Sequence, residues 1–233
     1  MCCPNAVFYG IGPSRSAKAA HNFIGDFDGT IVCDGYKAYE TLTKKNSDLQ
    51  LALCWAHVRR KFVEAEKNYP VCAEAIELIG QLFAIDRDTD NPALLCGDDK
   101  LAAIEARQSA RAARAPPILE ALKEWALTQR GLPKSGLRKA IDYMLGHWKP
   151  LQTFVAAPFV PLDNNATERA LRGIVIGRKN HYGSRSERGT KVAAIMYTIM
   201  ETAKLNGLDP FQWVVDAVYR RKDDPSVTPL PLA

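Results

Sequence analysis

The sequence predicts an α/β fold in which a short strand-and-helix region is interrupted by a large all-helical insertion and followed by further helices. Three observations carry this prediction. Within residues 1–61, short β-prone apolar runs at 6–9, 30–33 and 49–54 alternate with helical stretches. Residues 62–150 show helical periodicity only. From residue 161 a basic, glycine-bearing segment leads into a second set of helices. At 233 residues and 47% hydrophobic, the chain has enough apolar material to bury a core.

Taken in order, Ala6-Val7-Phe8-Tyr9 reads as a strand that Gly10, Gly12 and Pro13 end. The following Pro13-Ser14-Arg15-Ser16 is a polar turn whose hydroxyls and guanidinium suit phosphate. Residues 17–24 read as a helix with Ala20, Phe23 and Ile24 on one side. Thr30-Ile31-Val32-Cys33 is a buried strand, and Asp34-Gly35 closes it with a carboxylate at its C-terminal tip, the edge where α/β sheets place ligands. Asp34 also suits the N-cap of a helix starting near Tyr36. Residues 49–54 form the next strand and turn at Trp55 into a basic helix containing Arg59, Arg60 and Lys61.

In the helical stretch, Ile76, Ile79 and Phe83 mark a first helix, which an Asp-rich loop at 86–99 ends. A second helix carries Arg107, Arg111 and Arg114 on its flank, is interrupted by Pro116-Pro117, and resumes through Ile118, Leu119, Leu122 and Trp125. Leu137, Ala140, Ile141, Met144, Leu145 and Trp148 repeat at i, i+3, i+4, i+7, i+8 and i+11, the mark of an amphipathic helix. A stretch this long is an inserted subdomain rather than a loop, and its expected role is structural.

Asn165-Ala166-Thr167-Glu168 opens the next helix with capping-box spacing. Residues 171–176 read as a short strand and 177–189 as a basic, glycine-rich loop. Val192, Ile195, Met196, Ile199 and Ala203 form the stripe of a long helix, with Gly207 beyond its end and Asp209-Pro210 as N-cap and first residue of the last one. Phe211, Val214, Val215 and Val218 give that helix its apolar face, and residues 220–233 read as a frayed tail.

Charge is the main clue to partners. Residues 166–191 hold seven Lys/Arg against two acids, a local excess equal to the net charge of +5 of the whole chain. Such clustering suits an anionic partner, above all a phosphate backbone, and is also compatible with a plain solvated face. Six scattered cysteines with no CxxC pair predict reduced thiols and an intracellular setting, and no apolar run approaches a membrane span. Cys54 and His57 have the spacing of half a zinc site without a second half, so zinc is not expected. Asp34 and Glu168, each an isolated carboxylate, suit hard divalent cations and phosphodiester chemistry, although spacing alone favours the capping-box reading of Glu168.

The motifs also occur in a telling order. They are Pro13-Ser14-Arg15-Ser16, Asp34-Gly35-Tyr36, the run Cys54-Trp55-Ala56-His57-Val58-Arg59-Arg60-Lys61-Phe62, the segment 161–172, Gly177-Arg178-Lys179-Asn180, and the run 201–210. In that order they closely resemble transposases of the insertion sequence 66 family, over nearly the whole chain. The resemblance implies a ribonuclease H-like core at 1–61 and 151–202, a helical insertion at 62–150, a C-terminal helical element at 203–220 and a tail at 221–233. It also implies DNA cleavage and strand transfer by an Asp, Asp, Glu trio with Mg²⁺ or Mn²⁺. By motif match Asp34 takes the role of the second aspartate and Glu168 that of the glutamate, both as metal ligands and catalytic groups. Arg15, Arg169, Arg172, Arg178, Lys179 and Arg185 are candidate DNA contacts by charge and position.

The partners implied are DNA, as element ends and target, and a full-length transposase or a second copy. The implied setting is cytoplasmic and nucleoid-associated, with no membrane. One departure stands against the match: residues 1–25 contain no Asp or Glu. The expectation is therefore a core lacking its first strands and first carboxylate, with a sheet edge left unpaired and no activity on its own. The alternatives are a non-catalytic DNA- or transposase-binding fragment, or the remnant of a decayed mobile element.

Overall fold

The computed structural model describes residues 2–3, 5–12, 14–180 and 186–230, with the side chains of Cys3 and residues 178–180 left aside. Two-residue strands β1 (Cys2–Cys3) and β2 (Ala6–Val7) come first. They are followed by α1 (Ala17–Ile24), β3 (Gly29–Cys33), α2 (Lys37–Lys45), β4 (Leu49–Leu53) and α3 (Trp55–Glu66). The helical stretch contains α4 (Cys72–Arg87), α5 (Gly97–Thr128), α6 (Gly136–Gly146) and the short α7 (Trp148–Leu151) and α8 (Thr153–Ala156). The chain continues with α9 (Asn165–Asn180), α10 (Glu187–Leu205) and α11 (Pro210–Asp223). The described residues are thus mostly helical, with one small parallel sheet and one antiparallel hairpin. They divide into two compact units, Ser16–Asn164 and a second made of Met1–Arg15 with Asn165–Ala233.

In the unit Ser16–Asn164, β3 and β4, the two strands that the apolar runs predict, pair in parallel, Gly29 opposite Leu49 through Cys33 opposite Leu53. The helix between them, α2, is the crossover that parallel pairing requires. One continuous core runs from Cys33, Ala52 and Leu53 through Trp55, Val58 and Phe62 to Ile79, Leu82, Leu122, Ile141 and Met144. The helical stretch is therefore packed directly against the strand pair. Three bonds reinforce this: Thr153 Oγ1 donates to the Leu51 carbonyl (2.8 Å), Trp55 Nε1 to the Leu151 carbonyl (2.8 Å), and the Trp55 amide to the Leu162 carbonyl (2.8 Å).

Two expectations fail in α5. Pro116-Pro117 does not interrupt the helix, which runs unbroken from Gly97 to Thr128. Residues on both sides of the prolines, Arg111 and Ala115 before and Leu119 and Leu122 after, are buried, so packing outweighs the missing N–H donors. Arg107 and Arg111 are not flank residues but buried ones. Arg111 is fully enclosed, donating to both Asp86 carboxylate oxygens (2.8 and 2.6 Å) and to the carbonyls of Phe154 (2.8 Å) and Ala157 (2.9 Å).

In the other unit the β1–β2 hairpin lies on α10. The Val7 amide donates to Thr202 Oγ1 (3.2 Å), which donates back to the Val7 carbonyl (3.2 Å), and the Tyr9 amide donates to Thr198 Oγ1 (3.1 Å). Threonines four apart on one helix face thus partner Val7 of β2 and Tyr9 just beyond it where a neighbouring strand would. This contact explains why the buried face of α10 is Ala194, Thr198, Ile199, Thr202 and Ala203, while the expected stripe members Val192 and Ile195 are exposed.

Residues 171–176, expected as a strand, are the middle of α9, because Ala170 and Ile174, four apart, pack against the core of Val7, Tyr9 and Ala194. Of the expected loop at 177–189, the ends are helical and residues 181–185 lie outside the described residues. The end of α10 is as expected: Gly207 (φ +69°) passes its amide to the Lys204 carbonyl (3.1 Å) and Leu208 donates to Ala203 (2.9 Å), a Schellman closure. Asp209 then caps α11, accepting from the Gln212 amide at 2.7 Å. The tail is not frayed through residue 230, since Trp213 Nε1 donates to the Pro229 carbonyl (2.9 Å) and Arg221 to the Val227 carbonyl (2.8 Å). No helix among the described residues is long and apolar enough to cross a membrane.

Candidate active site

Asp34 is exposed at the C-terminal end of β3, in the turn before α2. It is not the N-cap of that helix. Tyr36 occupies the cap position without a side-chain bond, and Asp34 Oδ1 accepts the Tyr36 amide at 3.2 Å, closing a tight Asx-type turn. Gly35 turns through φ +82°. The Asp34 carbonyl accepts the Tyr143 hydroxyl at 2.7 Å, a bond across 109 residues from α6.

Around this turn, Lys61 Nζ stands 4.5 Å from the Tyr143 ring centroid, and the His147 ring lies against Tyr143 at 4.6 Å between centroids. The ring nitrogens of His147 reach the Tyr143 carbonyl (2.7 Å) and Glu40 Oε1 (3.1 Å), so α6 and α2 are tied together beside Asp34. Burial, and after it the charge of Asp34, pushes the Tyr143 phenol up to about 12, so it remains a hydrogen-bond donor throughout the neutral range. Burial likewise pushes the Cys33 thiol up to about 11. Cys54, at the cap of α3, is buried and its thiol is raised by that burial against the backbone N–H groups of Asn164, His57 and Ala56.

Glu168 is half-buried in the first turn of α9, in the other unit. Asn165 is already helical, so the residue expected as its cap lies inside the helix. On a helix turning about 100° per residue, positions 168, 172 and 179 fall within roughly 40° of one another, opposite Ala170 and Ile174, which face the core. Arg169 and Arg172 are exposed. Continuous helix through 171–176 is what puts these positions on one face, and the strand expectation missed it. Arg15, also exposed, belongs to the same unit. The side chains of Arg178 and Lys179, and Arg185 entirely, lie outside the described residues. Among the described residues no group of three or more His, Cys, Asp or Glu is gathered so as to hold a metal ion.

Sequence reasoning missed Tyr143 and His147. Their helix was legible, but nothing in its periodicity says that its half-buried positions face the Asp34 turn.

Residues 2–192 match the profile described as Transposase IS66 family, and the chain belongs to that family. Among curated relatives it is 33% identical over 226 residues to the uncharacterized protein y4jD of Sinorhizobium fredii, covering 93% of this chain and 42% of that protein. Two further uncharacterized proteins of the same organism, y4hP and y4qI, are each 30% identical, covering 95% and 93% of this chain and 42% and 40% of their own lengths. The chain therefore spans about two fifths of the length of the curated relatives it matches. No solved structure matches the chain.

Proposed function

We propose that this chain is the catalytic portion of a transposase, on a ribonuclease H-like core, with Asp34 and Glu168 each acting as a metal-binding carboxylate in DNA cleavage and strand transfer. The supporting observation is the family match across residues 2–192 together with an exposed Asp34 at the C-terminal end of a parallel strand pair. Mg²⁺ or Mn²⁺ fits these residues in kind, because carboxylate oxygens are the ligands hard cations take. When bound, such ions supply Lewis-acid activation of an attacking hydroxyl and of the phosphodiester. In number the described residues gather no complete ligand set.

The protein groups have separable tasks. Asp34 presents a carboxylate whose Oδ1 is steadied by the Tyr36 amide. Arg169 and Arg172, exposed on α9, and the positions of Arg178 and Lys179 farther along it, are assigned to the phosphate backbone, with Arg15 and Arg185 as further contacts. The trio requires a third carboxylate, and residues 1–25 offer none. The chain on its own is accordingly expected to bind DNA without cutting it. A purely DNA- or transposase-binding role is the second reading, favoured by the exposed Arg169 and Arg172 and by positions 172 and 179 falling on one face of α9.

Fluorescence anisotropy with a labelled duplex, with Mg²⁺-dependent nicking of a supercoiled plasmid measured alongside, tests both readings. The expected result is binding that weakens steeply with salt, with a log–log slope that falls by about 2 when Arg169 and Arg172 are both changed to Ala, and no nicking. Absence of DNA binding even at low salt would overturn the assignment of α9. Nicking that disappears in Asp34→Asn and in Glu168→Gln would show that the chain is active by itself.

A further inference from the structure

The Asp34 turn has an open conformational choice. Gly35 populates positive and negative φ with similar ease, so the peptide plane between Asp34 and Gly35 can flip unless its hydrogen bonds hold it: the Asp34 carbonyl on the Tyr143 hydroxyl and the Gly35 amide on the Cys33 sulfur. The observed state has Gly35 at φ +82°, with the Asp34 carbonyl aimed at the Tyr143 hydroxyl (2.7 Å) and Asp34 Oδ1 on the Tyr36 amide (3.2 Å). A flip would turn that carbonyl away and break the bond from Tyr143. The fit is close: a Cβ on Gly35 would stand 2.9 Å from Tyr143 Oη and 3.4 Å from His147 Nε2.

Tyr143 is itself held from several sides. Its helix is anchored by Ala140, Ile141 and Met144, all buried in the main core. Lys61 covers its ring from α3, and His147, one turn on, bonds to Glu40 of α2. The Tyr143 bond to the turn therefore comes from a rigid support rather than from a mobile side chain.

We propose that Tyr143 is a positioning residue for Asp34: its hydroxyl fixes the 34–35 peptide so that the Asp34 carboxylate is presented in a single orientation at the end of β3. The proposal rests on Asp34 being a metal ligand, and it gives the helical stretch a task in the site beyond filling the core. Tyr143 touches neither metal nor DNA in this account and acts through the turn alone.

The test is made on the full chain with two readouts. Residue-resolved hydrogen exchange reports the turn without metal: Tyr143→Phe, which keeps the ring and loses only the hydroxyl, is expected to speed exchange of the Tyr36 amide about tenfold while the amides of β3 and α6 stay within about twofold of wild type. Exchange at Tyr36 unchanged within about twofold overturns the proposal. Should Tyr143→Phe unfold, Gly35→Ala decides instead, since its added methyl drives the turn off the hydroxyl with Tyr143 intact. The same rise in Tyr36 exchange is expected, and its absence is equally fatal. Mn²⁺ binding, followed by electron paramagnetic resonance, separates this proposal from the reading beneath it. Loss of binding in Asp34→Asn with a threefold or greater weakening in Tyr143→Phe supports both. Binding indifferent to Asp34→Asn removes Asp34 as a ligand, whatever the exchange result. Loss in Asp34→Asn with wild-type affinity in Tyr143→Phe leaves Asp34 a ligand and removes Tyr143 as its positioner.

Discussion

Arg111 shows how much a single residue can hold in this chain. Its guanidinium is fully enclosed and satisfied by the Asp86 carboxylate and by two carbonyls at the end of α8, so it joins α4, α5 and α8 at one point. Removing one partner of such a pair is costlier than the pair is worth, because the remaining charge stays behind with its hydrogen bonds unmade. Arg111→Ala is expected to destabilise the chain by about 3–5 kcal/mol, measured by urea unfolding, whereas Arg111→Met combined with Asp86→Leu should cost distinctly less. A double variant as damaging as the single one would contradict this. From the sequence, Arg111 was one of three arginines at helical spacing, and only Arg114 of the three proves exposed. Asp34 was legible, because a strand, a carboxylate and a glycine are neighbours in the chain. Its hydroxyl partner is 109 residues away, and no local pattern encodes such a contact.

Among the elements, a regular apolar repeat marked a buried face in α6 but not in α11, where Phe211 and Val218 of the expected face are exposed and Ala217 is the buried residue. The repeat through Leu137, Ala140, Ile141 and Met144 is buried as expected. In α9, the consecutive branched residues Ile174, Val175 and Ile176 read as a strand, but only Ile174 packs against the core while Val175 and Ile176 are 43% and 52% exposed. A short apolar run does not distinguish a buried strand from one face of a helix. The stripe of α10 was misplaced for another reason: two of its buried positions are threonines, polar by any hydropathy count and bonded to Val7 of β2 and to Tyr9 just beyond it. Thr202→Val keeps the shape and strands the Val7 amide, and is expected to cost about 1–3 kcal/mol. Thr202→Ser keeps the bonds and should cost about 1 kcal/mol for the lost methyl. Thermal unfolding of the two variants checks this, and a valine variant as stable as the wild type would show that the hydroxyl bonds contribute nothing.

For the molecule as a whole, the feature least visible in sequence is the way the chain is divided. The unit Ser16–Asn164 is continuous in sequence and owns the main core. The other unit is assembled from residues before and after it, and the hairpin at its start is bonded to a helix 195 residues downstream. Compositional shifts along the chain mark where helices replace strands but not where contacts close, so the helical stretch read as a separate insertion while it shares a core with β3 and β4. A fragment of residues 16–164 is expected to unfold cooperatively by circular dichroism, with near-ultraviolet signal from Trp55, Trp125 and Trp148; a non-cooperative melt would count against an autonomous unit. The bonds between Val7 and Thr202 also set an order in time. At synthesis rates of about 5–20 residues per second, the hairpin strands wait on the order of 10–40 seconds after emerging from the ribosome before α10 exists to receive them. During that interval the Val7 and Tyr9 amides have no threonine partner, and the neighbouring unit can complete its own core first.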